Sequence, residues 1–279
     1  MLEEKDTLVS ICIPHWQVRE LIRLCLRAIR KYTRTIPVEV IVVDNGSEDG
    51  SLDYLRSLSW INLIERGKNT PANWVEAFRT ALDVGFENSR GRYFVIMHTD
   101  TIVKHPRWLE RMTAPFDQDP KCAAVGAWKL EQRHPLYELT KKLTDTKKAR
   151  LWLRRTFLGD STARQLSREM CPRDYCAVYR SEAIRTFGLT FDAPGKYDGY
   201  TAGEKMYYQL KENGCRAEVI PTAEMMQYMV HLAHATAGLR PQQRHLNHKR
   251  AQRKAERKLS CLFGSDLAKN LVADVSLDR

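Results

Sequence analysis

Three short runs, apolar along nearly their whole length, set the terms for this fold: residues 8–14 (LVSICIP), 38–43 (VEVIVV) and 93–97 (YFVIM). A strand with one wet face alternates polar and apolar residues, whereas a strand covered on both faces does not. Between these runs the apolar period becomes helical. Residues 18–32 place apolar side chains at 18, 21, 22, 25, 28 and 29 among Arg and Lys. Residues 71–86, opened by a proline, align Trp74, Phe78, Ala81, Leu82 and Gly85. A short helix over 51–58, a strand over 60–64, a helix over 108–116 and a strand over 123–128 continue the alternation. The pattern predicts an α/β protein with a mostly parallel, doubly wound sheet. Further on, residues 176–179 read as a strand, 204–212 as a helix leading to Gly214, and 217–220 as the last strand before Pro221.

With 279 residues and 43% hydrophobic content, the chain suits one large domain with an appendage. Its net charge of +11 is unevenly placed: residues 141–168 and 240–258 carry +7 each, so the remainder is mildly acidic at −3. The first segment interleaves Leu143, Leu151, Leu153 and Phe157 with Lys147, Lys148, Arg150, Trp152, Arg154 and Arg155. A basic amphipathic helix of this kind suits an anionic membrane surface. The second segment has almost no apolar stripe and reads as a charged helix or tail. Nucleic acid is not the expected partner, because no nucleic-acid-binding module accompanies the basic residues. Seven scattered cysteines fit reduced thiols, Cys171 and Cys176 among them as structural residues. No apolar run approaches a bilayer span, and the N-terminus (MLEEK) is acidic rather than signal-like. The expectation is a cytoplasmic protein, with peripheral contact at the inner face of the cell membrane.

In open α/β sheets, ligands bind beyond the carboxyl ends of the strands. Here those ends are Pro14-His15, Asp44-Asn45-Gly46-Ser47 and His98-Thr99-Asp100. Residues two apart on a strand point the same way, so His98 and Asp100 face one ligand together, as a metal pair would. Asp44 either shapes its own turn, as Asn45-Gly46 favours, or accepts a hydrogen bond from a ligand.

Val9-Ser10-Ile11-Cys12-Ile13-Pro14, the decapeptide from Val42 to Ser51 (VVDNGSEDGS), and the segment from Gly91 to Asp100 follow one another in an order and spacing that resembles family 2 of the inverting glycosyltransferases, which have the GT-A fold. The resemblance covers residues 8–130 well and 175–235 loosely. It implies a Rossmann-like, mostly parallel sheet flanked by helices over residues 1–235, with a donor-binding half (8–130), an acceptor and catalytic half (131–235) and a basic helical C-terminal extension (236–279). It further implies a nucleotide-sugar donor, first expected to be UDP-linked, and a divalent cation, Mn²⁺ or Mg²⁺. Asp44 would hold the nucleobase, with Ser47, Pro14 and His15 around it. Asp100 would bridge the cation to the donor diphosphate. His98 stands where the family's Asp-x-Asp motif has its first carboxylate, and His231, or second His234, would complete the metal site. The family draws its base from a Glu-Asp pair before a helix. This chain lacks that pair, leaving Glu204, then Asp198, then Asp192. The basic segment falls where the family recognises its acceptor, here a glycan or a lipid-linked or lipopolysaccharide-type molecule of cell-envelope polysaccharide synthesis. Two rivals stand beside this reading. A nucleotidyltransferase would need a phosphate loop after the first strand, which Pro14-His15-Trp16-Gln17 does not supply. A nucleotide-binding relative that has lost catalysis would explain the altered Asp-x-Asp and the missing Glu-Asp.

Overall fold

The structure, a computed structural model, describes residues 8–128, 130, 169–232, 235 and 249–279. Seven strands form the central sheet: β1 (Val9–His15), β2 (Val38–Asp44), β3 (Ile61–Glu65), β4 (Tyr93–Met97), β6 (Cys122–Ala127), β7 (Cys176–Arg180) and β8 (Arg216–Ile220). Their order is β3-β2-β1-β4-β7-β6-β8. Every pairing is parallel except those of β7, which runs antiparallel to both β4 and β6. The mostly parallel α/β sheet expected from the apolar runs is therefore present.

Alternation along each strand divides the core in two. Val9, Ile11, Ile13, Val40, Val42, Val95 and Met97 face one layer, with α1 (Arg19–Tyr32) and α4 (Trp108–Gln118). Cys12, Ile41, Val43, Phe94 and Ile96 face the other, with α3 (Trp74–Glu87), α5 (Ser181–Thr186) and α6 (Ala202–Glu212). Gly85 allows α3 to sit close: a Cβ there would lie 2.2 Å from the Cys12 sulfur.

Several boundaries differ from the sequence reading, each for a local reason. The proline does not stop β1, which runs on through Pro14 to His15. Pairing of β1 with β4 ends at Cys12, and Pro14 faces that vacant flank, so its missing N–H costs no ladder bond. Helix α3 starts at Trp74 rather than 71, because the Asn73 side chain accepts from the Val75 N–H (2.9 Å) and Glu76 N–H (3.3 Å). Trp74 is consequently 63% exposed and off the apolar stripe. Residues 217–220 are not the last strand either. After α7 (Thr222–Tyr228), β9 (Met229–His231) pairs antiparallel with β5 (Thr101–Val103), matching His231 to Thr101.

The C-terminal extension is helical, with α8 (Lys249–Gly264) and α9 (Asp266–Ala273). It is not a solvated tail throughout: Leu259, Leu262, Ala268, Leu271 and Leu277 join the same core as Val9 and Leu21. Arg27, buried on α1, fixes the docking. Its guanidinium donates to the Leu271 and Val272 carbonyls (2.9 and 2.7 Å) and forks onto the Asp278 carboxylate, which also accepts from the Tyr54 hydroxyl (2.9 Å). Among the described residues no helix is long and apolar enough to cross a membrane.

Removing one partner of a buried charge strands the other. Asp278→Asn is expected to destabilise the protein by about 2 kcal/mol, read as a lower urea midpoint with an unchanged slope. An unchanged midpoint would mean that the guanidinium finds equivalent partners without the carboxylate.

Candidate active site

The ends of β1, β2 and β4 lie side by side, as parallel pairing with β1 in the middle requires. Asp44 closes β2 fully buried. Its Oδ2 accepts from the N–H groups of Gly46 and Ser47, both at 2.9 Å, so the residue does build its own turn. Oδ1 is buried and has no hydrogen-bond partner among the described residues. The Ser47 hydroxyl turns toward the next loop and accepts from the Gln17 N–H at 2.7 Å. Gln17 and Val18 both hold positive φ, 57° and 66°, a costly conformation for a β-branched residue. Asp49 offsets the strain. It accepts from the Val18 and Arg19 N–H groups (2.5 and 3.2 Å), capping α1, which has no side-chain cap of its own. Burial alone would raise the Asp49 carboxyl, but its bonds from Ser51, Arg19 and Val18 hold it down to about 2.

Pro14 and His15 are buried beside this turn. His15 is 1% exposed and neither ring nitrogen has a hydrogen-bond partner among the described residues. Burial drives its pKa down to about 4, against the opposing pull of Asp44 and Asp49. Arg66, just past β3, ties the turn to α3 through the Asn45 side chain (3.1 Å), the Ala77 carbonyl (2.9 Å) and the Thr80 hydroxyl (2.9 Å).

Beyond β4, His98, Asp100 and His231 bring one ligand atom each to within 4.8 Å of one another. His98 Nδ1 lies 3.7 Å and His231 Nε2 lies 3.4 Å from Asp100 Oδ1. These separations are long for hydrogen bonds. They approach the spacing of adjacent ligands around one cation, about 3 Å in an octahedron of 2.1 Å bonds. Among the described residues, Asp100 Oδ1 and His98 Nε2 are buried without a hydrogen-bond partner. Burial would raise the Asp100 carboxyl, yet the two imidazoles, His231 foremost, outweigh it and hold the group far below the ordinary range. One carboxylate and two imidazoles around an unsatisfied buried oxygen fit a divalent transition metal. The β5–β9 ribbon, too short to be read in the sequence, delivers His231. His234 lies outside the described residues, as do Lys147, Lys148, Arg150, Trp152, Arg154 and Arg155.

Tyr175 frames the triad. Its carbonyl accepts from the His98 N–H (3.0 Å) and the Thr101 hydroxyl (2.9 Å), and its ring stacks on His231 at 4.7 Å. Nothing in the sequence singled out this residue, or its neighbours Arg173 and Asp174. Arg173 stacks over Trp128 at 4.9 Å and donates to Glu204 Oε1 at 2.6 Å. Glu204, the first candidate base, is 1% exposed, and its second oxygen accepts from the Thr201 N–H in a capping box. Its placement is that of a helix-start acid locked in an ion pair. Asp198 is the opposite case, 75% exposed and 3.9 Å from the Lys205 ammonium. Asp192 is paired with Arg79 and lies 4.0 Å from the same ammonium.

The family model described as "Glycosyl transferase family 2" matches residues 10–188. The chain belongs to glycosyl transferase family 2. Among curated family relatives, an uncharacterized glycosyltransferase of Haemophilus influenzae is 27% identical over 125 residues, 45% of this chain and 38% of that protein. Glycosyltransferase AglE of Haloferax volcanii is 32% identical over 106 residues, 37% of this chain and 33% of the relative. The chain thus spans little more than a third of the curated relatives it matches. Among solved structures, the mannosyltransferase PcManGT of Pyrobaculum calidifontis, in complex with GDP-Man and Mn²⁺, superposes with a TM-score of 0.52 at 16% identity, covering 95% of this chain and 78% of the other. Glucosyl-3-phosphoglycerate synthase of Mycobacterium tuberculosis, in complex with phosphoglyceric acid, gives 0.51 at 17% identity, covering 92% and 79%. The family's GT-A fold is therefore the fold of this chain.

An unfolded histidine titrates near 6.5, whereas native His15 resists protonation until about 4. Between these values the unfolded chain binds more protons, so stability falls as pH drops, by about 3 kcal/mol across the window. His15→Gln should flatten that part of the curve in urea melts at pH 7 and pH 4.5. Identical losses in both proteins would exclude His15 as the source.

Proposed function

We propose that this protein is an inverting glycosyltransferase that moves a sugar from a nucleotide-sugar donor with the help of a divalent cation. The observation that carries the reading is the convergence of His98, Asp100 and His231 at the end of β4, on the same sheet edge as the Asp44 turn at the end of β2, with β1 between them. One strand end offers a cation site for a diphosphate and the other, across β1, a buried carboxylate oxygen for a base. Asp44 Oδ1, without a hydrogen-bond partner among the described residues while Oδ2 holds the turn, suits an N–H of the nucleobase. Pro14 and His15 wall that side, and Ser47 positions the loop between them. A cation in the triad would neutralise charge developing on the departing diphosphate. The Asp100 carboxylate and the two imidazoles are its expected ligands, which favours Mn²⁺ over Mg²⁺. Transfer is a single displacement at the anomeric carbon, without a covalent sugar–enzyme intermediate.

The acceptor is proposed to be a glycan or lipid-linked molecule of cell-envelope polysaccharide synthesis, met at an anionic membrane surface. The basic, leucine-rich composition of residues 141–168 supports this part of the reading. Co-sedimentation with vesicles of anionic phospholipid, weakened by salt, is the expected result, and absence of binding at low salt would remove the membrane from the proposal.

The donor reading is tested by incubating the protein with UDP-glucose, UDP-N-acetylglucosamine and GDP-mannose, with and without Mn²⁺, and measuring nucleoside diphosphate release and melting temperature. One donor should be turned over only with Mn²⁺, and Asp100→Asn should lose both the turnover and the Mn²⁺-dependent rise in melting temperature. Binding of a donor without turnover would identify a member that has lost catalysis. Neither binding nor turnover would overturn the reading.

A further inference from the structure

Sugar transfer needs a carboxylate that can take a proton from the attacking hydroxyl. Glu204 is closed off by Arg173, Asp192 by Arg79, and Asp198 projects into solvent. We propose that the base is Asp174, a half-buried residue on the strand approach that frames the metal triad; the assignment rests on the glycosyl-transfer reading above.

Two sets of contacts converge on Asp174. Toward α6, its Oδ1 accepts from the Thr201 hydroxyl and the Gly203 N–H, both at 2.9 Å. Both bonds end on the same oxygen, so the carboxylate is fixed at the start of a helix, and among the described residues no hydrogen bond ends on Oδ2. Toward the triad, the next residue is Tyr175, whose carbonyl holds the His98 N–H and whose ring stacks on His231. The backbone between is rigid, since the Arg173 N–H donates to the Ala127 carbonyl (3.1 Å) and the Cys176 N–H returns to the Arg173 carbonyl (3.3 Å). Asp174 is thus one residue from a side chain in contact with the triad, and that residue is held from both ends.

Gly203 adds an independent observation. A glycine inside a helix costs about 1 kcal/mol relative to alanine. At Gly203 no positive φ requires it. What requires it is space: a Cβ would lie 2.6 Å from Asp174 Oδ1 and 3.0 Å from the Pro172 carbonyl. The helix start is hollowed to seat this carboxylate.

In the step assigned to Asp174, the acceptor oxygen forms its bond to the anomeric carbon as its proton passes to Oδ2. The bond from that carbon to the diphosphate oxygen breaks, and its electron pair leaves with the nucleoside diphosphate. Arg173, facing Glu204 and Trp128, supplies no proton to this step and serves to position the segment.

The experiment compares nucleoside diphosphate release by wild type, Asp174→Asn, Gly203→Ala and Glu204→Gln, using whichever of UDP-glucose, UDP-N-acetylglucosamine and GDP-mannose the wild type turns over with Mn²⁺. Asp174→Asn keeps an oxygen for both hydrogen bonds but cannot take the proton, so kcat should fall about 100-fold or more while the donor KM and the Mn²⁺-dependent thermal shift stay put. Gly203→Ala raises helix propensity, so it tests the same point should the first variant fold poorly. It should displace the carboxylate and lower kcat about tenfold. Wild-type kcat in either variant would overturn the assignment, and a fall confined to Glu204→Gln would hand the role to Glu204. Absence of wild-type turnover with every donor would instead overturn the glycosyl-transfer reading on which the assignment stands.

Discussion

The Tyr175 carbonyl is the bond acceptor on which the site depends. It receives the His98 N–H and the Thr101 hydroxyl, and so fixes the sharp turn by which β4 becomes β5. With that turn set, Asp100 points inward, and β5 runs in the register that brings β9 and His231 alongside. The same residue lays its ring on His231 and carries Asp174 into the start of α6. One residue therefore joins the metal triad, the antiparallel strand β7 and the start of α6, where Asp174 and Glu204 are both held. Ordinary strands end in loops that solvent can rearrange. This one ends in a turn held by a segment about 75 residues away in sequence, and such long-range ties limit how far ligand atoms can stray from a required geometry.

A second theme is the number of charged groups buried for position rather than for stability alone. Asp49 caps α1 from another loop and, with the Ser47 hydroxyl on the Gln17 N–H, holds Gln17 and Val18 in a conformation they would not otherwise adopt. Lys205, fully buried, donates to the Ala193 carbonyl between Asp192 and Asp198, and burial lowers its pKa despite those carboxylates. Arg27 locks the C-terminal helices to α1. A buried pair seldom adds much net stability, because desolvation offsets attraction. What each of these adds is a fixed relation between elements that hydrophobic packing alone would leave free to slide.

The layered sheet was legible because its signal is short in range. Apolar runs at 8–14, 38–43 and 93–97 became β1, β2 and β4 with ends shifted by a residue or so. His98 and Asp100 were paired by strand alternation, the nucleobase role of Asp44 and the choice of His231 rested on a family resemblance, and among the described residues the structure gathers His98, Asp100 and His231. What stayed hidden depends on contacts between distant residues. Strands of three residues, such as β5 and β9, carry too little periodicity to be read. The role of Ser47 as an acceptor for the Gln17 N–H, and the closure of Glu204 by Arg173, follow from loop packing that no local pattern encodes. Asp174 was overlooked because a single Asp before a strand has no motif. Its significance appears only once Gly203 and Tyr175 are placed around it.

The histidine at 98 bears on how the site manages charge. With two carboxylates a triad would carry −2 and cancel a divalent cation. With one carboxylate and two imidazole ligands it would carry −1, which would leave a bound divalent cation with net positive charge to meet a diphosphate. The substitution also selects among cations, since imidazole binds the later first-row metals better than Mg²⁺. Phe78 meets the His98 ring edge-on at 4.9 Å, and the backbone N–H of His98 is tied to the Tyr175 carbonyl, so both the ring and the backbone that carries it are positioned before any cation arrives. A ligand fixed in this way loses little entropy on binding, which compensates in part for the charge it lacks. An imidazole in place of a carboxylate would thus change the poise of such a cation site, while the edge-on Phe78 and the stacked Tyr175 ring hold both imidazoles in place around the Asp100 carboxylate.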